Sequence, residues 1–570
     1  MDHSRGVGGR RSVGEFARCS LIFRPGRRKR GVLLQPLTPH LSGNGTLALG
    51  NGGAIHPSVS TDHPVPAVLI RRQIPGRVIN IWLVLIVALG AVIAVGDGLT
   101  RAPNLELELF PPQPLEYEPY HAAFLLAGLT LPLMFGYAKK ARVSLTEGLF
   151  LWFTFCTTAY MKDFSYLRMP GTPLFVTDIV LVALLFSIYI LPRPRPRPHY
   201  PRNSLALSIF LIVFVAAGLV SAARGFWGQG LPILVLRDSA LIAYAFFLLV
   251  GYQLFPSWLA IKRLAVWFLL GTGLSVLNGL GRFVDAPEER RFVVAGIYVL
   301  VSQMAVLVLL ANRLIRPKAG WPLAALFSLG LLLANMRSIF ISLAIVMGAA
   351  FLVPGLVRRK SRLLSVVATL VLAIVLACSF ALLSFHLQAG RDFATRVSDE
   401  LDSAVFHTGD DPYWQFRLAA WSEAWRRFEK YPPGGEGFGI PFVFEIWDND
   451  ARPHNTFLTV LYKMGLLGFL PLLVFLAYFF WLGLRAVYRN SANRRVAFLE
   501  IVILAQFSFC VYGGAFPVFE SPYAASLFWA GMGIGLRIIK NFDLERSLRS
   551  SANCTWGNAG SLNRVKTAFG

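Results

Sequence analysis

Long apolar segments alternate with short polar ones along most of this chain. Each apolar segment is close to the roughly 20 residues that a helix needs to cross a bilayer. Their predicted first residues are Ile79, His121, Ser144, Thr172, Leu205, Leu231, Leu264, Val293, Trp321, Ser338, Leu363, Leu466, Val496 and Pro522. The pattern therefore predicts an all-α, polytopic integral membrane protein with about 12 to 14 transmembrane helices.

The composition agrees with the pattern. Hydrophobic residues make up 55% of the 570 residues and charged residues only 15%, which is far more apolar than a soluble protein of this length. The net charge of +24 is distributed between the apolar segments and is not gathered with aromatic residues on one surface. We therefore expect no nucleic acid among the partners, whereas membrane lipids are expected to contact the chain.

Basic residues collect in every second connection between apolar segments. Because cytoplasmic loops retain Lys and Arg, this alternation predicts one topology with both termini in the cytoplasm. The clusters are Lys139/Lys140/Arg142, Arg193/Arg195/Arg197/Arg202, Lys262/Arg263, Arg313/Arg316/Lys318, Arg358/Arg359/Lys360/Arg362 and Arg485/Arg489/Arg494/Arg495.

The same topology divides the chain into five parts. We predict a disordered basic cytoplasmic tail over residues 1–76, a helix bundle over 77–388, an extracytoplasmic loop over 389–453, C-terminal transmembrane helices over 454–540 and a cytoplasmic tail over 541–570. The loop spans roughly 65 residues, and connections of that length are usually functional.

One helix is predicted inside the loop. Asp411 and Pro412 form a good helix start, and the run from Pro432 to Gly435 is a clear stop. At 100° per residue, one side of this helix carries an apolar stripe, which favours a position along the membrane interface. The stripe consists of Trp414, Leu418, Trp421, Trp425 and Phe428, and Arg426 and Arg427 are expected to point away from it.

His454 is the candidate catalytic residue. It follows Pro453 and precedes Asn455 and an apolar run, so we predict that it lies in the first turn of a helix entering the membrane. The positive end of that helix disfavours an imidazolium and favours a nearby anion. A neutral histidine there can accept a proton; a purely structural histidine is an equally open interpretation.

Three arginines are candidates for binding an anion. Arg417 lies at the edge of the tryptophan stripe, Arg337 interrupts an apolar hairpin, and Arg237 lies just inside the outer end of a span beside Asp238. A planar guanidinium binds phosphate oxygens in pairs, and charges this close to hydrocarbon are usually functional. The alternatives are a snorkelling or ion-paired Arg417, an interfacial anchor at Arg337, and mutual neutralisation of Arg237 and Asp238.

The remaining chemistry-bearing residues indicate neither a metal site nor a cofactor. The cysteines at 19, 156, 378, 510 and 554 share no metal-ligand spacing, and motifs for nucleotide or zinc-dependent hydrolysis are missing. Cations plus one base suit a reaction in which a diphosphate leaves while the base deprotonates an attacking hydroxyl.

These residues also form a recognisable pattern. It consists of Arg417 four positions before Trp421, a Pro-Pro-Gly-Gly turn, and His454-Asn455 opening an apolar helix with a Gly-Leu-Leu-Gly segment. The pattern, from about Phe416 to Gly468, resembles the O-antigen ligase and polymerase superfamily. Met336 stands where serine is usual, and Lys463 stands where an acidic residue is frequent. An extra headgroup contact and a plain interfacial lysine are both open for Lys463.

The resemblance implies a function and its partners. Members of this family move a glycan from undecaprenyl diphosphate to an acceptor sugar at the outer face of the bacterial inner membrane, without metal or nucleotide. By this resemblance His454 is the base, and Arg417 and Arg337 bind the diphosphate. Arg237 is a further candidate because of its position near the outer end of a span. Asn455, Gly437 and Trp421 are expected to support the site or contact the acceptor.

The resemblance leaves the acceptor open. A growing chain of O-antigen, capsule or exopolysaccharide units would make the protein a polymerase, which the two departures and the number of spans favour slightly; lipid A core would make it a ligase. A flippase and a chain-length regulator are possible protein partners. A transporter of an anionic solute is the alternative of another class.

Overall fold

The structure, a computed structural model, describes residues 76–100, 121–168, 174–190, 204–228, 230–285, 296–334, 336–352, 395, 412–444 and 452–568. Within these ranges the chain is helical, and its β-pairing is limited to an isolated bridge between Arg168 and Phe175. The prediction of an all-α fold is confirmed. The predicted N-terminal tail up to residue 75, the span from Leu363 and most of the loop before Pro412 lie outside the described residues.

The first helices run back and forth up to residue 352. They are α1 (Gly76–Thr100), α2 (His121–Lys140), α3 (Leu145–Ser165), α4 (Val176–Tyr189), α5 (Ser204–Trp227), α6 (Pro232–Asp238), α7 (Ala240–Ala243), α8 (Phe247–Leu254), α9 (Trp258–Asp285), α10 (Gly296–Ala311), α11 (Pro317–Ala334) and α12 (Arg337–Leu352). A 3-10 turn, Tyr244–Phe246, joins α7 to α8, so α6 to α8 act as one bent span.

Four further helices follow the loop. They are α13 (Pro412–Lys430), α14 (Thr456–Arg489), α15 (Val496–Gly513) and α16 (Pro522–Ala568). The bounds of α13 agree with the start and stop predicted from Asp411-Pro412 and Pro432. The helix α16 continues past residue 540, where the sequence predicted a tail.

Seven helical segments in the described ranges are long and apolar enough to cross a membrane. They are His121–Lys140, Ser208–Trp227, Pro232–Leu254, Trp258–Arg282, Pro317–Ala334, Thr456–Arg489 and Val496–Gly513. Shorter apolar helices, Trp82–Val95, Val176–Tyr189, Gly296–Ala311 and Ser338–Ala350, match other predicted spans. The polytopic architecture is thus confirmed.

The described basic clusters lie at the end of the bundle opposite to His454. Arg263, at the start of α9, pairs with Glu147 at the start of α3, with 2.9 Å between Nη2 and Oε1. Arg495, just before α15, pairs with Glu545 at 2.8 Å. His454 instead lies next to the start of α14, whose other end carries Arg489. The separation agrees with the alternation seen in the sequence.

The helix α14 is broken near its beginning. Gly465 has φ 61° and ψ −162°, outside the helical region. In an unbroken helix the carbonyl oxygens of Tyr462 and Lys463 would accept hydrogen bonds from the N–H groups of residues 466 and 467. The break releases two acceptors and two donors, and buried backbone groups need partners.

The Pro432–Gly437 turn supplies all four partners. Glu436 N donates to Tyr462 O at 2.7 Å, and Gly437 N donates to Lys463 O at 3.1 Å. In return, Leu466 N donates to Pro432 O at 2.9 Å and Leu467 N donates to Pro433 O at 3.0 Å. The turn that follows α13 is therefore inserted into α14.

Glycine is required on both sides of this crossing. Gly435 has φ 68°, and a Cβ placed there would lie 2.5 Å from Gly465 N. A Cβ at Gly465 would lie 2.5 Å from Pro433 O. The two backbones touch only because neither residue carries a side chain.

The helix α13 buries a different face from the one predicted. Ala420 and Ala424 are fully buried against Phe442, Phe444 and Tyr462, whereas Leu418 and Trp425 of the stripe are about half exposed. Roughly a third of a turn separates the two faces at 100° per residue. The small side chains of the two alanines allow α13 to approach Phe442, Phe444 and Tyr462 more closely than the tryptophan stripe would.

Arg427 points away from the tryptophan stripe, as predicted, but it lies on the packed alanine face of α13. Its Nε lies 2.7 Å from Glu423 Oε1 and its Nη1 lies 3.1 Å from Glu436 Oε2. Its guanidinium carbon lies 4.9 Å from the centre of the Phe442 ring, and its Nη1 donates to Pro441 O at 3.0 Å. Arg427 thus fixes the segment after the turn against α13.

We predict that Gly465→Ala destabilises the protein by roughly 1–3 kcal/mol, because its backbone conformation is almost exclusive to glycine, and by more if the turn is displaced. The measurement is the thermal midpoint of the detergent-solubilised protein. Gly128→Ala on α2 is the control, since a Cβ there would meet nothing within 4 Å. Equal midpoints for the two variants would contradict the inserted turn.

Candidate functional site

His454 lies just outside α14, not in its first turn as the sequence predicted. The helix begins at Thr456, and Asn455 is its N-cap residue with φ −145°. His454 itself adopts φ 49°, a left-handed conformation that is uncommon for residues other than glycine. Such strain persists only where the surroundings hold it and is frequent at functional sites.

Asn455 closes the N-terminus of α14. Its Oδ1 accepts hydrogen bonds from Phe457 N and Leu458 N, both at 3.1 Å. These are two of the N–H groups that an uncapped helix would offer to an anion. These two N–H groups are therefore not free to bind an anion.

Two aromatic contacts attach α13 to the histidine segment. Trp421 Nε1 donates to Pro453 O at 2.7 Å, the carbonyl directly before His454. The Phe416 ring lies with its centre 6.1 Å from that of the His454 imidazole, at 66°. Arg417 is placed between these two contacts along α13, so it faces the histidine region.

Arg417 is close enough to His454 to act on its charge. Burial lowers the pKa of the imidazole most, and the positive charges of Arg417 and Arg452 lower it further, to about 4. His454 is therefore neutral at pH 7, as the sequence predicted, although burial is a larger cause than the helix end. The same cations make the region attractive to an anion.

Arg452 and Glu520 are site residues that the sequence reasoning missed. Arg452 Nε lies 2.9 Å from Glu520 Oε2; the Arg452 side chain is 22% exposed, that of Glu520 only 2%. Glu520 Oε1 is buried without a hydrogen-bond partner among the described residues. An acidic residue between apolar Phe519 and the start of α16 was the available signal, because charges at this depth are seldom incidental.

Thr456 joins the two chain segments that carry this pair. Its Oγ1 donates to Phe516 O at 2.8 Å and accepts from Val518 N at 2.6 Å. The segment before α16 is thereby held against the start of α14. Glu520 is brought next to Arg452 by backbone contacts as well as by its charge.

Arg237 borders the same region from the other side. It forms an ion pair with Asp238 at 3.4 Å and its side chain is 29% exposed. Arg237, Arg452 and Glu520 are all close enough to act electrostatically on the Tyr166 hydroxyl at the end of α3. The structure thus gathers Arg237, Arg417, Arg452 and His454 around one polar region at one end of the bundle.

Arg337 is the first residue of α12, and its backbone lies at this same end. Ile339 packs against Gly296, where a Cβ would lie 3.0 Å from Ile339 Cγ1. Two residues further on, Tyr298 Oη donates to Tyr523 O at 2.7 Å. Tyr523 lies in the first turn of α16, three residues after Glu520.

A comparison with known families identifies part of the chain. Residues 322–473 match the family model described as O-antigen ligase. This match covers 152 of the 570 residues and supports the O-antigen ligase and polymerase superfamily. The resemblance noted in the sequence is confirmed, and it ties the protein to polysaccharide biosynthesis. No curated protein matches the sequence.

The O-antigen ligase segment contains Arg337, Arg417 and His454 together with the inserted turn. Arg237, on α6, and Glu520, in the turn before α16, lie outside it. In the part of the chain that the structure describes, no group of three or more His, Cys, Asp or Glu side chains could hold a metal ion.

Gly437 lies in the inserted turn with φ 100°. Its N–H is engaged by Lys463 O, and the following residue, Phe438, donates to Ser221 O at 3.1 Å. Its position indicates a structural contribution to the turn. Arg224 on α5 adds to this attachment, because its Nη1 donates to Gly435 O at 3.1 Å.

Lys463 is neither an extra headgroup contact nor a plain interfacial lysine, the two interpretations that the sequence left open. Its side chain is 2% exposed and forms a buried ion pair with Asp238, which is 1% exposed. Asp238 Oδ2 also accepts a hydrogen bond from Gly439 N at 2.9 Å. The pair joins α6, α14 and the turn, so Asp238 is paired with Lys463 as well as with its neighbour Arg237.

We predict that Lys463→Met or Asp238→Asn alone destabilises the protein by roughly 3–5 kcal/mol, because each leaves one buried charge uncompensated. The double variant should recover much of that loss, since asparagine can still accept from Gly439 N. Thermal unfolding of the four proteins in one detergent is the measurement. A double variant less stable than both single variants would contradict a direct pair.

Proposed function

We propose that this member of the O-antigen ligase superfamily is a glycosyltransferase that moves a glycan from undecaprenyl diphosphate to an acceptor sugar. The observation that carries the proposal is the placement of a neutral, partly buried histidine within electrostatic reach of two arginines at one end of a membrane bundle. Arginines suit a diphosphate, and a neutral histidine suits removal of a hydroxyl proton.

The proposed reaction is a single displacement with inversion. The acceptor hydroxyl oxygen forms a bond to the anomeric carbon, while His454 takes the hydroxyl proton. The bond between that carbon and the diphosphate oxygen breaks, and the electron pair leaves with the diphosphate. Arg417 and Arg337 bind the growing negative charge, and we add Arg452 to them because its charge, like that of Arg417, acts on His454.

The substrate itself would adjust the basicity of His454. In the free protein burial and, to a smaller extent, two cations lower its pKa to about 4, which makes it a weak base. A bound diphosphate compensates those cations and raises the pKa towards its usual value. His454 would then gain basicity only when the donor is in place.

We propose a growing polysaccharide chain as the acceptor and the outer face of the inner membrane as the location. Met336 and the number of predicted spans support a polymerase. The Lys463 departure no longer does, because that side chain is buried with Asp238. Lipid A core as the acceptor is the second outcome that an experiment must distinguish.

We predict that His454→Ala abolishes glycan transfer because it removes the group proposed to take the acceptor's hydroxyl proton. The assay uses membranes with a lipid-diphosphate-linked repeat unit, without nucleotide and with EDTA, and resolves the products by length. His121→Ala, at the exposed start of α2, is the control. A ladder of products of increasing length indicates a polymerase. A single product that appears only when lipid A core is added indicates a ligase. Full transfer by His454→Ala would exclude the proposed base.

We predict that Arg417→Lys lowers transfer at least tenfold, because lysine keeps the charge but loses the planar pair of donors. Arg426→Lys is the matched control on the same helix, since the Arg426 side chain is 69% exposed. The measurement is the initial rate at limiting donor. Equal rates for the two variants would argue against diphosphate binding by Arg417.

We predict an acid limb in kcat/KM with an apparent pKa of about 4, the value for His454 in the free protein. Activity is present above that pH and is lost as pH falls through it, since the imidazole becomes protonated. Arg452→Gln should move the limb to higher pH, because removing a cation favours the imidazolium. An unchanged limb would contradict the coupling of Arg452 to His454.

A further inference from the structure

A polar cavity lies at the other end of the bundle from His454. It has a volume of about 710 Å³ and is formed where α14 ends, α15 begins and α16 passes beside them. The helix α14 has 34 residues between the two ends, which corresponds to up to roughly 50 Å. The cavity is therefore separate from the proposed catalytic site.

The lining of this cavity is strongly basic. Its residues are Arg489, Asn490, Ala492, Asn493, Arg494, Arg495, Phe542, Glu545 and Arg546. They include four guanidinium groups against a single carboxylate, that of Glu545. We call this set the arginine cavity.

The carboxylate of Glu545 is already engaged. Its Oε1 lies 2.8 Å from Arg495 Nη1 and accepts from Trp258 Nε1 at 3.0 Å. Arg546 reaches Asp543 only at 3.6 Å. Arg489 and Arg494 are exposed and have no ion-pair partner within the described ranges. The arginine cavity therefore keeps an excess of positive charge and unused N–H donors, which match phosphate oxygens.

Apolar surface adjoins the cavity on the side facing the lipid. Leu484 and Tyr488, on the last turns of α14, are 40% and 56% exposed, and Leu544 on α16 is 55% exposed. Two turns before Arg489, Trp481 is 50% exposed and stacks on Tyr478 with ring centres 5.5 Å apart. Aromatic residues of this kind mark the level of the lipid headgroups.

A ligand that fits both features has a phosphate for the arginines and hydrocarbon for the neighbouring surface. We propose that the arginine cavity binds the phosphate headgroup of an anionic phospholipid from the leaflet on that side of the membrane. Basic cavities between transmembrane helices commonly take such headgroups. Inorganic phosphate shares the chemistry but lacks the hydrocarbon, so the two sources can be distinguished.

The experiment measures binding of fluorescent phosphatidylglycerol to the full-length protein in nanodiscs of phosphatidylcholine. We expect the double variant Arg489→Gln/Arg494→Gln to bind it about tenfold or more weakly, since each arginine near a headgroup contributes appreciably. The matched control is Arg313→Gln/Arg316→Gln, which removes two basic residues between α10 and α11, outside the lining. The control should bind like the unchanged protein.

Three outcomes would overturn the proposal. An equal loss of phosphatidylglycerol binding in both double variants would show that the lipid responds only to the general positive charge of the protein. Unchanged binding in both variants would exclude the arginine cavity as the binding site. Competition by millimolar inorganic phosphate as effective as competition by phosphatidylglycerol would identify a site for the free ion. Thermal midpoints of both variants, equal to that of the unchanged protein, show that lost binding does not reflect unfolding.

Discussion

The exchange of backbone hydrogen bonds between the Pro432–Gly437 turn and the break in α14 is the constraint on which the rest of the site depends. Four hydrogen bonds cross between the two segments, and each satisfies a group that would otherwise be buried without a partner. The exchange fixes where α13 ends relative to α14. Since Arg417 is on the first helix and His454 precedes the second, their separation follows from that junction.

The electrostatics of the site follow from this placement. His454 is largely removed from solvent and lies within electrostatic reach of Arg417 and Arg452, so its neutral form is favoured on two grounds. Glu520 compensates one of the cations from a buried position. An anion entering this region meets preorganised positive charge and a histidine able to take a proton, which are the two requirements of the proposed transfer.

Much of this could be predicted from the sequence, because the strongest signals are local. Apolar segments of membrane length and the proline and glycine boundaries of α13 depend on neighbouring residues only. The pairing of Lys463 with Asp238 could not be predicted, since it depends on how distant helices pack. The same is true of the pairing of Arg427 with Glu436, and of the packing of α13 through its alanine face and not through its tryptophan stripe.

The neutral state of His454 could be predicted from the sequence, but the main cause of that state could not. Its neutral state was predicted from the helix that follows, yet Asn455 occupies two of that helix's N–H groups, and burial has the larger effect. Arg452 stands two positions before His454 but became a candidate only when Glu520 was found beside it. Roles that depend on a partner far along the chain need the folded structure.

The Lys463–Asp238 pair also has a consequence for the order of assembly in the membrane. Its partners are 225 positions apart in the chain, so at the ordinary rate of synthesis Asp238 precedes its partner by on the order of ten to forty seconds. During that interval α6 holds a carboxylate that lacks its ammonium partner and disfavours deep burial. The early helices can close fully only after α14 arrives, which makes the C-terminal helices the final step in maturation of the whole bundle.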